Sequence, residues 1–276
     1  MNTCFLESSV AIGIVFRHEA ERKAMTESFN GLHPTTSNYV LFEIARGFLR
    51  RLIALHNQSY DFKLVNDLHM FVSTGSGRFT RELATWANAI MDYQATMEEN
   101  RQPADLDEFR AILRVSIRRG WRALKKMTLL NPTKCRADLP PPVLKDNLLL
   151  VHQLPVEQCG NPTICGVQSF IQKERADVDK IIEALKALPA GQKKESETKK
   201  RLADLPVMLA TPVGQKFLGK QCYNCGDAVI CLECPPDSAV ITKNGKHFIP
   251  MADAIGKHCI VAKGARCYSD EKEISS

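Results

Sequence analysis

Hydrophobic and polar positions along this chain predict short buried strands near both ends, with amphipathic helices between them. The apolar segment Thr3–Leu6 stops at an acid, and a polar pair then leads into a second apolar segment, which indicates a strand, a tight turn and a helix. Residues 238–242 form a β-branched apolar run, and residues 258–262 form another. This alternation predicts an α/β fold with a central, mostly parallel sheet flanked by helices.

A strong helical pattern covers residues 38–56, where apolar side chains recur every three or four positions. Further helices are predicted around residues 19–29, 62–72, 79–98, 105–128 and 173–188. Residues 131–172 contain six prolines and three cysteines, which predicts an irregular segment. We predict one domain over residues 1–276. Its core would come from about 1–130 and 220–262, with an extra helical region and a Cys/Pro-rich insertion at 131–221.

The composition is that of an ordinary globular protein. The 276 residues carry a formal net charge of +6, which favours an anionic partner but is too mild to identify one. No apolar run approaches the roughly 18 residues that a membrane-spanning helix requires, and the chain reaches Glu7 without a basic segment, so a signal peptide is not expected. We expect a cytoplasmic protein without a membrane partner, whose ten cysteines are buried free thiols or zinc ligands.

Four positions far apart in the chain each place a carboxylate or an amide where a strand ends or a helix begins. They are Glu7, Glu43, Asp227 and Asn244. Open α/β sheets bind ligands at the carboxyl ends of their strands. Clustered carboxylates repel one another, so a fold keeps them together mainly around a cation. The pattern therefore predicts an acidic site for a divalent metal ion, and His247 lies close behind Asn244 in the sequence.

At these four places the chain resembles the PIN domain family of nucleases. The family's first motif is a strand ending in Asp-Thr-Asn/Ser-Val, and residues 6–10 read Leu-Glu-Ser-Ser-Val. Its second motif is a Glu on a helix, usually followed by a basic residue, which Glu43 and Arg46 match. The third motif is an Asp that opens a small, apolar helix, as Asp227 would. The last is a strand followed by Thr-x-Asp/Asn, which residues 242–244 match.

The resemblance covers roughly residues 1–60 and 222–262. It implies a PIN-like fold and a metal-dependent endonuclease that hydrolyses phosphodiester bonds, in RNA more often than in DNA. A second hypothesis is a catalytically degenerate PIN-like module that binds nucleic acid or serves as a scaffold. A third is a zinc-stabilised nucleic-acid-binding regulator that carries out no hydrolysis.

The resemblance also implies roles for individual residues. Glu7, Glu43 and Asp227 would hold Mg²⁺ or Mn²⁺. Asn244 would be a further ligand or would position water, and Ser9 would orient a carboxylate or a phosphate. The family's leading acid is normally Asp, and the extra methylene of Glu7 moves the carboxylate by roughly 1.5 Å. Because Mg²⁺ requires near-octahedral geometry, the site is either re-tuned, for example for Mn²⁺, or retains binding without catalysis.

Two pairs of cysteines could form a structural zinc site. Zinc knuckles turn tightly, and glycines follow several of these cysteines. The candidate ligands are Cys159, Cys165, Cys222 and Cys225. Cys135 and His152 could substitute for one of them. The alternative is a set of buried, inert thiols.

Basic side chains recur every four residues in the predicted helix 105–128. They are Arg110, Arg114, Arg118, Arg122 and Lys126. A row of guanidinium groups suits a phosphate backbone, whereas a solvated face is the simpler interpretation. Together with Ser9 and Arg46, the four arginines form the predicted nucleic-acid-binding set. A protein partner or a homo-oligomer is left open.

Overall fold

A computed structural model describes most of the chain. The described residues are 2–17, 19–74, 80–101, 103–135, 141–150, 165–215 and 219–263. The chain divides into two compact units. The first comprises Met1–Glu43, Lys125–Asp138 and Pro155–Ser276, and the second comprises Ile44–Leu124 and Leu139–Leu154.

The first unit contains a five-stranded sheet in which neighbouring strands are parallel. Its strands are β1 (Thr3–Leu6), β2 (His33–Ser37), β3 (Thr128–Leu130), β6 (Ser238–Thr242) and β7 (His258–Val261). Their order across the sheet is β3-β2-β1-β6-β7. The second unit contains an antiparallel hairpin. It consists of β4 (Val143–Lys145) and β5 (Leu148–Leu150).

β1 and β6 form the centre of the sheet. β6 is buried along its whole length, and β1 is buried from Cys4 to Leu6, as expected for apolar strands that are covered on both faces. Phe5 pairs with Val240 in the parallel register. The chain thus starts in the middle of the sheet, adds β2 and β3 on one side, and later returns to place β6 and β7 on the other.

Helices connect and flank the strands. In chain order they are α1 (Ser8–Phe16), α2 (Glu19–Glu27), α3 (Asn38–Ile44), α4 (Arg50–Gln58), α5 (Val65–Thr74), α6 (Thr80–Glu99), α7 (Leu106–Lys126), α8 (Val167–Lys173), α9 (Arg175–Ala187), α10 (Ala190–Lys193), α11 (Ser196–Ala210), α12 (Gly219–Asn224), α13 (Gly226–Glu233) and α14 (Gly245–Ala254). The prediction of an α/β protein with a central parallel sheet flanked by helices is confirmed.

Several elements differ from the sequence prediction. The single helix expected over residues 38–56 is interrupted by a π-helical turn, Ala45–Leu49, between α3 and α4. α8, apart from its last residue, falls inside the segment that was expected to be irregular. α14 was not predicted, because Pro250, a residue that usually ends helices, lies within it. β3 was missed because a three-residue edge strand has no periodicity to recognise.

The second unit packs α4 to α6 and most of α7 around its own apolar core, with Leu68, Ile90 and Leu113 buried. Asn57 on α4 binds the hairpin, because its side chain donates to the carbonyl of Leu149 (3.0 Å) and accepts from the amide of the same residue (2.9 Å). Among the described residues, no helix combines the length and the apolar character needed to cross a bilayer.

Candidate metal centre at the carboxyl end of the sheet

Two strands at the centre of the sheet define the location of the site. β1 and β6 are neighbours, but the chain leaves β1 towards β2 on one side and leaves β6 towards β7 on the other. Open α/β sheets bind ligands in the crevice beside such a switch point. Glu7 directly follows β1, and Lys243 and Asn244 directly follow β6. The amide of Glu7 also donates to the carbonyl of Ile241 (3.2 Å), so the two strand ends are held together.

Glu7 is a buried acid that caps α1. Its carboxylate accepts from the amide of Ser9 (2.7 Å) and from the Ser9 hydroxyl. It also accepts from Oγ1 of Thr242 (3.3 Å) and from the amide of Lys243 (3.2 Å). Burial raises the pKa of Glu7, and the hydrogen bonds from Ser9 and from the amide of Lys243 oppose the increase. Glu7, and not the serine pair that follows it, caps α1, because its carboxylate accepts from an amide that the first turn of the helix leaves free.

Glu43 lies on α3 and faces the same crevice. The Ser8 hydroxyl donates to its Oε2. The protein around its carboxyl group raises the pKa of Glu43 to about 8, mainly through burial and then through the charges of Asp227 and Glu7. The charge of Asp227 also raises the pKa of Glu7. The three acids predicted from the sequence are therefore within electrostatic reach of one another.

Asp227 lies in the first turn of α13 and forms an ion pair that the sequence analysis did not foresee. Nη2 of Arg201, on α11, donates to its Oδ2. The Arg201 side chain is only 4% exposed, and the Asp227 side chain is 22% exposed. Arg201 also lowers the pKa of Glu43 through its charge. A buried guanidinium thus belongs to the acidic site.

A chain of polar contacts extends the site from β6 to the start of α11. Nδ2 of Asn244 donates to Nδ1 of His247 (2.7 Å), which assigns the ring hydrogen to Nε2. Nε2 then donates to Oε2 of Glu195 (3.3 Å), whose other oxygen binds Nζ of Lys246 (2.6 Å). The hydrogen bond from Lys246 is the main reason that the pKa of Glu195 is lowered. His247 is therefore fixed in orientation on both sides of its ring.

The chemistry of this site suits a hard divalent cation. Carboxylate and amide oxygens are the ligands that Mg²⁺ and Mn²⁺ prefer. Two of the acids have a raised pKa because they are buried near other negative charges, and a cation would restore their ionised form. As the side chains stand, no group of three or more His, Cys, Asp and Glu residues in the described ranges is arranged as a ligand set. An ion bound by these acids would have to displace the Arg201 donor from Asp227.

No family model, curated protein or solved structure matches this chain.

Arg201 and Ser8 are two site residues that sequence reasoning missed. Arg201 ends a strongly charged run at residues 192–201, and such composition alone indicates a solvated segment. Helical spacing could have indicated that Arg201 is buried, because it shares the buried face of α11 with Thr198, Leu205 and Met208. A basic residue on an apolar stripe indicates a buried partner.

The predicted nucleic-acid-binding residues occupy different environments. Ser9 lies in the acidic site, and Arg46 lies in the π-helical turn of the second unit. On α7, Arg118 and Arg122 are exposed, whereas Arg114 is half-buried. Arg110 has structural partners, because it stacks on the ring of Tyr60 and its guanidinium donates to the carbonyl of Ser59 (2.6 Å).

The cysteines of the predicted zinc site cannot be assembled from the described residues, because Cys159 lies outside them. Cys222 and Cys225 are buried, and burial raises the pKa of the Cys225 thiol. A raised pKa disfavours the thiolate that zinc requires. Cys165 lies on the wall of a cavity of about 750 Å³, together with Cys234. The zinc site stays a prediction.

Proposed function

We propose that this protein is a PIN-like, metal-dependent nuclease that hydrolyses phosphodiester bonds, in RNA more readily than in DNA. One observation carries the proposal. Glu7 follows β1, Glu43 lies on α3, and Asp227 lies in the first turn of α13. The three acids interact electrostatically at the switch point of a parallel sheet. Buried acids that interact this closely are characteristic of sites that bind cations.

Glu7, Glu43 and Asp227 would hold Mg²⁺ or Mn²⁺, with the amide oxygen of Asn244 beside them. The ion would offset charge on the reacting phosphate and favour attack by water. Ser9 and Ser8 orient the carboxylates of Glu7 and Glu43 through their hydroxyl groups. Such a second layer of donors fixes ligand geometry and tunes ligand basicity.

The decisive experiment is a cleavage assay on labelled single-stranded RNA and DNA. Wild-type protein should cleave in Mn²⁺ or Mg²⁺ and should not cleave in EDTA. Asp227→Asn should lower the rate by about a hundredfold or more, because it removes a charged ligand. Asp253→Asn is the matched control, since it removes one carboxylate from an exposed position on α14 and should leave the rate unchanged. Cleavage that is equal in EDTA, or equal for the two variants, would overturn the proposal.

The ion pair between Arg201 and Asp227 favours a second function, a PIN-like module that binds nucleic acid without cleaving it. A guanidinium that occupies Asp227 competes with a metal ion for the same carboxylate. In this case the wild type should shift RNA in a gel at every metal concentration tested, and the RNA should remain intact. The same assay therefore separates the two functions.

A further inference from the structure

The guanidinium of Arg201 is buried beside the acidic site with much of its hydrogen-bonding capacity unused. Nη2 donates to Asp227 and lies 3.3 Å from Nδ1 of His247. Nε and Nη1 are both buried and have no hydrogen-bond partner among the described residues. A guanidinium carries five N–H groups, so a large share of its donors has no acceptor here. Leaving such donors unpaired in the interior is costly.

The ion pair with Asp227 does not account for this arrangement. An arginine placed only to neutralise a carboxylate usually forms two parallel N–H···O bonds with it. Here the contact to Asp227 comes from Nη2 alone, and Nε and Nη1 are left over. The α11 backbone holds Arg201 on its buried face, in line with Leu205 and Met208. The side chain therefore holds unpaired donors beside Asp227.

The surroundings indicate what that acceptor is. α13 and α14 begin at Gly226 and Gly245, next to Asp227 and Asn244. The first amide groups of a helix and its dipole favour anionic oxygens. Because the acids beside Arg201 would be occupied by a cation, an oxygen from the bound substrate is the remaining anionic partner. Planar guanidinium groups match phosphate oxygens well.

We propose that Arg201 binds a non-bridging oxygen of a backbone phosphate in the nucleic-acid substrate, through the hydrogens of Nε and Nη1. This inference rests on the proposed function, because it requires a nucleic acid in the crevice. In this proposal Arg201 positions the phosphate relative to Glu7, Glu43 and Asp227. Arg201 is therefore a substrate-binding residue, in addition to the partner of Asp227.

The test uses the Asp227→Asn chain, in which the ion pair is already lost and cleavage does not complicate binding. The affinity for fluorescein-labelled single-stranded RNA is measured by anisotropy in Mg²⁺ from about 50 to about 200 mM salt. Adding Arg201→Gln should weaken binding about tenfold, as for loss of a charged hydrogen bond. It should also reduce the slope of log K against log salt by about 0.7, one phosphate contact on a single strand. A residue that only stabilises the fold would not change that slope.

Two further variants complete the experiment. Lys186→Gln removes one positive charge from α9, where Lys186 pairs with Glu183, and should change neither affinity nor slope. Arg201→Lys in the same background should keep the slope but weaken binding severalfold, since an ammonium lacks the planar donors. If Arg201→Gln fails to fold by circular dichroism, Arg201→Lys decides the question. Affinity unchanged in that variant overturns the inference.

The outcomes distinguish this inference from the nuclease proposal. Cleavage by wild type, together with equal RNA binding with and without Arg201, overturns the phosphate contact alone. Arg201-dependent binding without any cleavage by wild type overturns hydrolysis and supports the contact. No RNA binding by the Asp227→Asn chain overturns the phosphate contact, and wild-type cleavage in the presence and absence of EDTA then decides hydrolysis by itself.

Discussion

A Cβ atom built on Gly226 would lie 2.9 Å from Oε1 of Glu43 and 3.5 Å from Oη of Tyr39. The first of these distances is shorter than real Cβ contacts, so a side chain at residue 226 would require the Glu43 carboxylate or the start of α13 to shift. Asp227 is the next residue. The glycine therefore allows the start of α13 to bring Asp227 next to Glu43.

We expect Gly226→Ala to destabilise the protein and to weaken metal binding. The added methyl group forces either the Glu43 carboxylate or the start of α13 to move, and overpacking of this kind costs about 1–3 kcal/mol. The measurements are urea unfolding in EDTA and the affinity for Mn²⁺ by calorimetry.

Gly191→Ala is the matched control for this substitution. Nothing lies within 4 Å of a Cβ at Gly191, which belongs to α10. Alanine there should be neutral or should stabilise the protein by up to about 1 kcal/mol. Equal effects of the two substitutions would show that the contact with Glu43 does not matter.

The stability of the metal-free protein should fall as the pH rises from about 4.5 to about 8. The folded-state pKa of Glu43 is raised from 4.5 to about 8, and that of Glu233 is raised to about 7, in both cases mainly by burial. Between these values the folded state holds protons that the unfolded state releases. Each such group therefore lowers the free energy of unfolding by up to about 1.4 kcal/mol per pH unit.

Urea unfolding in EDTA at several pH values between about 5 and about 8 tests this prediction. This range lies between the unfolded and folded pKa values of Glu43. Glu43→Gln, which cannot ionise, should flatten the curve and should be more stable than wild type at the upper end. Glu183→Gln removes an exposed acid paired with Lys186 and should leave the slope as it is. A wild-type curve that rises with pH would contradict the assignment of a buried, protonated Glu43.

Affinity for Mn²⁺ should increase over the same pH range. A carboxylate must lose its proton before it binds a metal ion, so each bound proton displaced changes the affinity by up to about tenfold per pH unit below the pKa. The raised pKa of Glu7 acts in the same direction as that of Glu43. Calorimetry at pH near 6 and near 8 provides the comparison. An affinity that does not depend on pH would show that neither acid is a ligand.

The strands and the acids of the site were predictable because their signals are local. β6 matches the predicted strand 238–242 residue for residue, since a fully buried strand is a continuous apolar run. Glu7 and Asp227 were recognisable because each stands at the boundary of such an element. Local patterns of this kind are visible without knowledge of the tertiary structure.

The contacts that complete the site were not predictable, because they depend on which elements meet. Arg201 contacts Asp227 across 26 positions of sequence, and Ser8 contacts Glu43 across 35. Neither partner is determined by spacing. The π-helical turn after α3 was also invisible, since its residues satisfy the ordinary helical period.

Lys257 stabilises the end of α13 that lies opposite Asp227. Its Nζ donates to the carbonyls of Cys231 (2.9 Å), Leu232 (2.9 Å) and Cys234 (2.6 Å), which are oxygens left free at a helix C-terminus. Lys257→Met keeps the aliphatic stem but removes the charge and the three donors. We expect a loss of about 2 kcal/mol in the free energy of unfolding, the scale of charged hydrogen bonds together with the helix dipole.

Urea unfolding at constant pH measures the effect of Lys257→Met. Lys186→Met is the appropriate control, because Lys186 also lies in the last turn of a helix but is exposed and pairs with Glu183. It should change stability by less than about 0.5 kcal/mol, as is usual for a surface position. The same midpoint for both variants would mean that the carbonyls at the end of α13 are satisfied equally well without Lys257. A larger loss for Lys257→Met would show that Lys257 stabilises α13. Because β7 begins at the next residue, the stability of α13 would then depend on its contact with the start of β7.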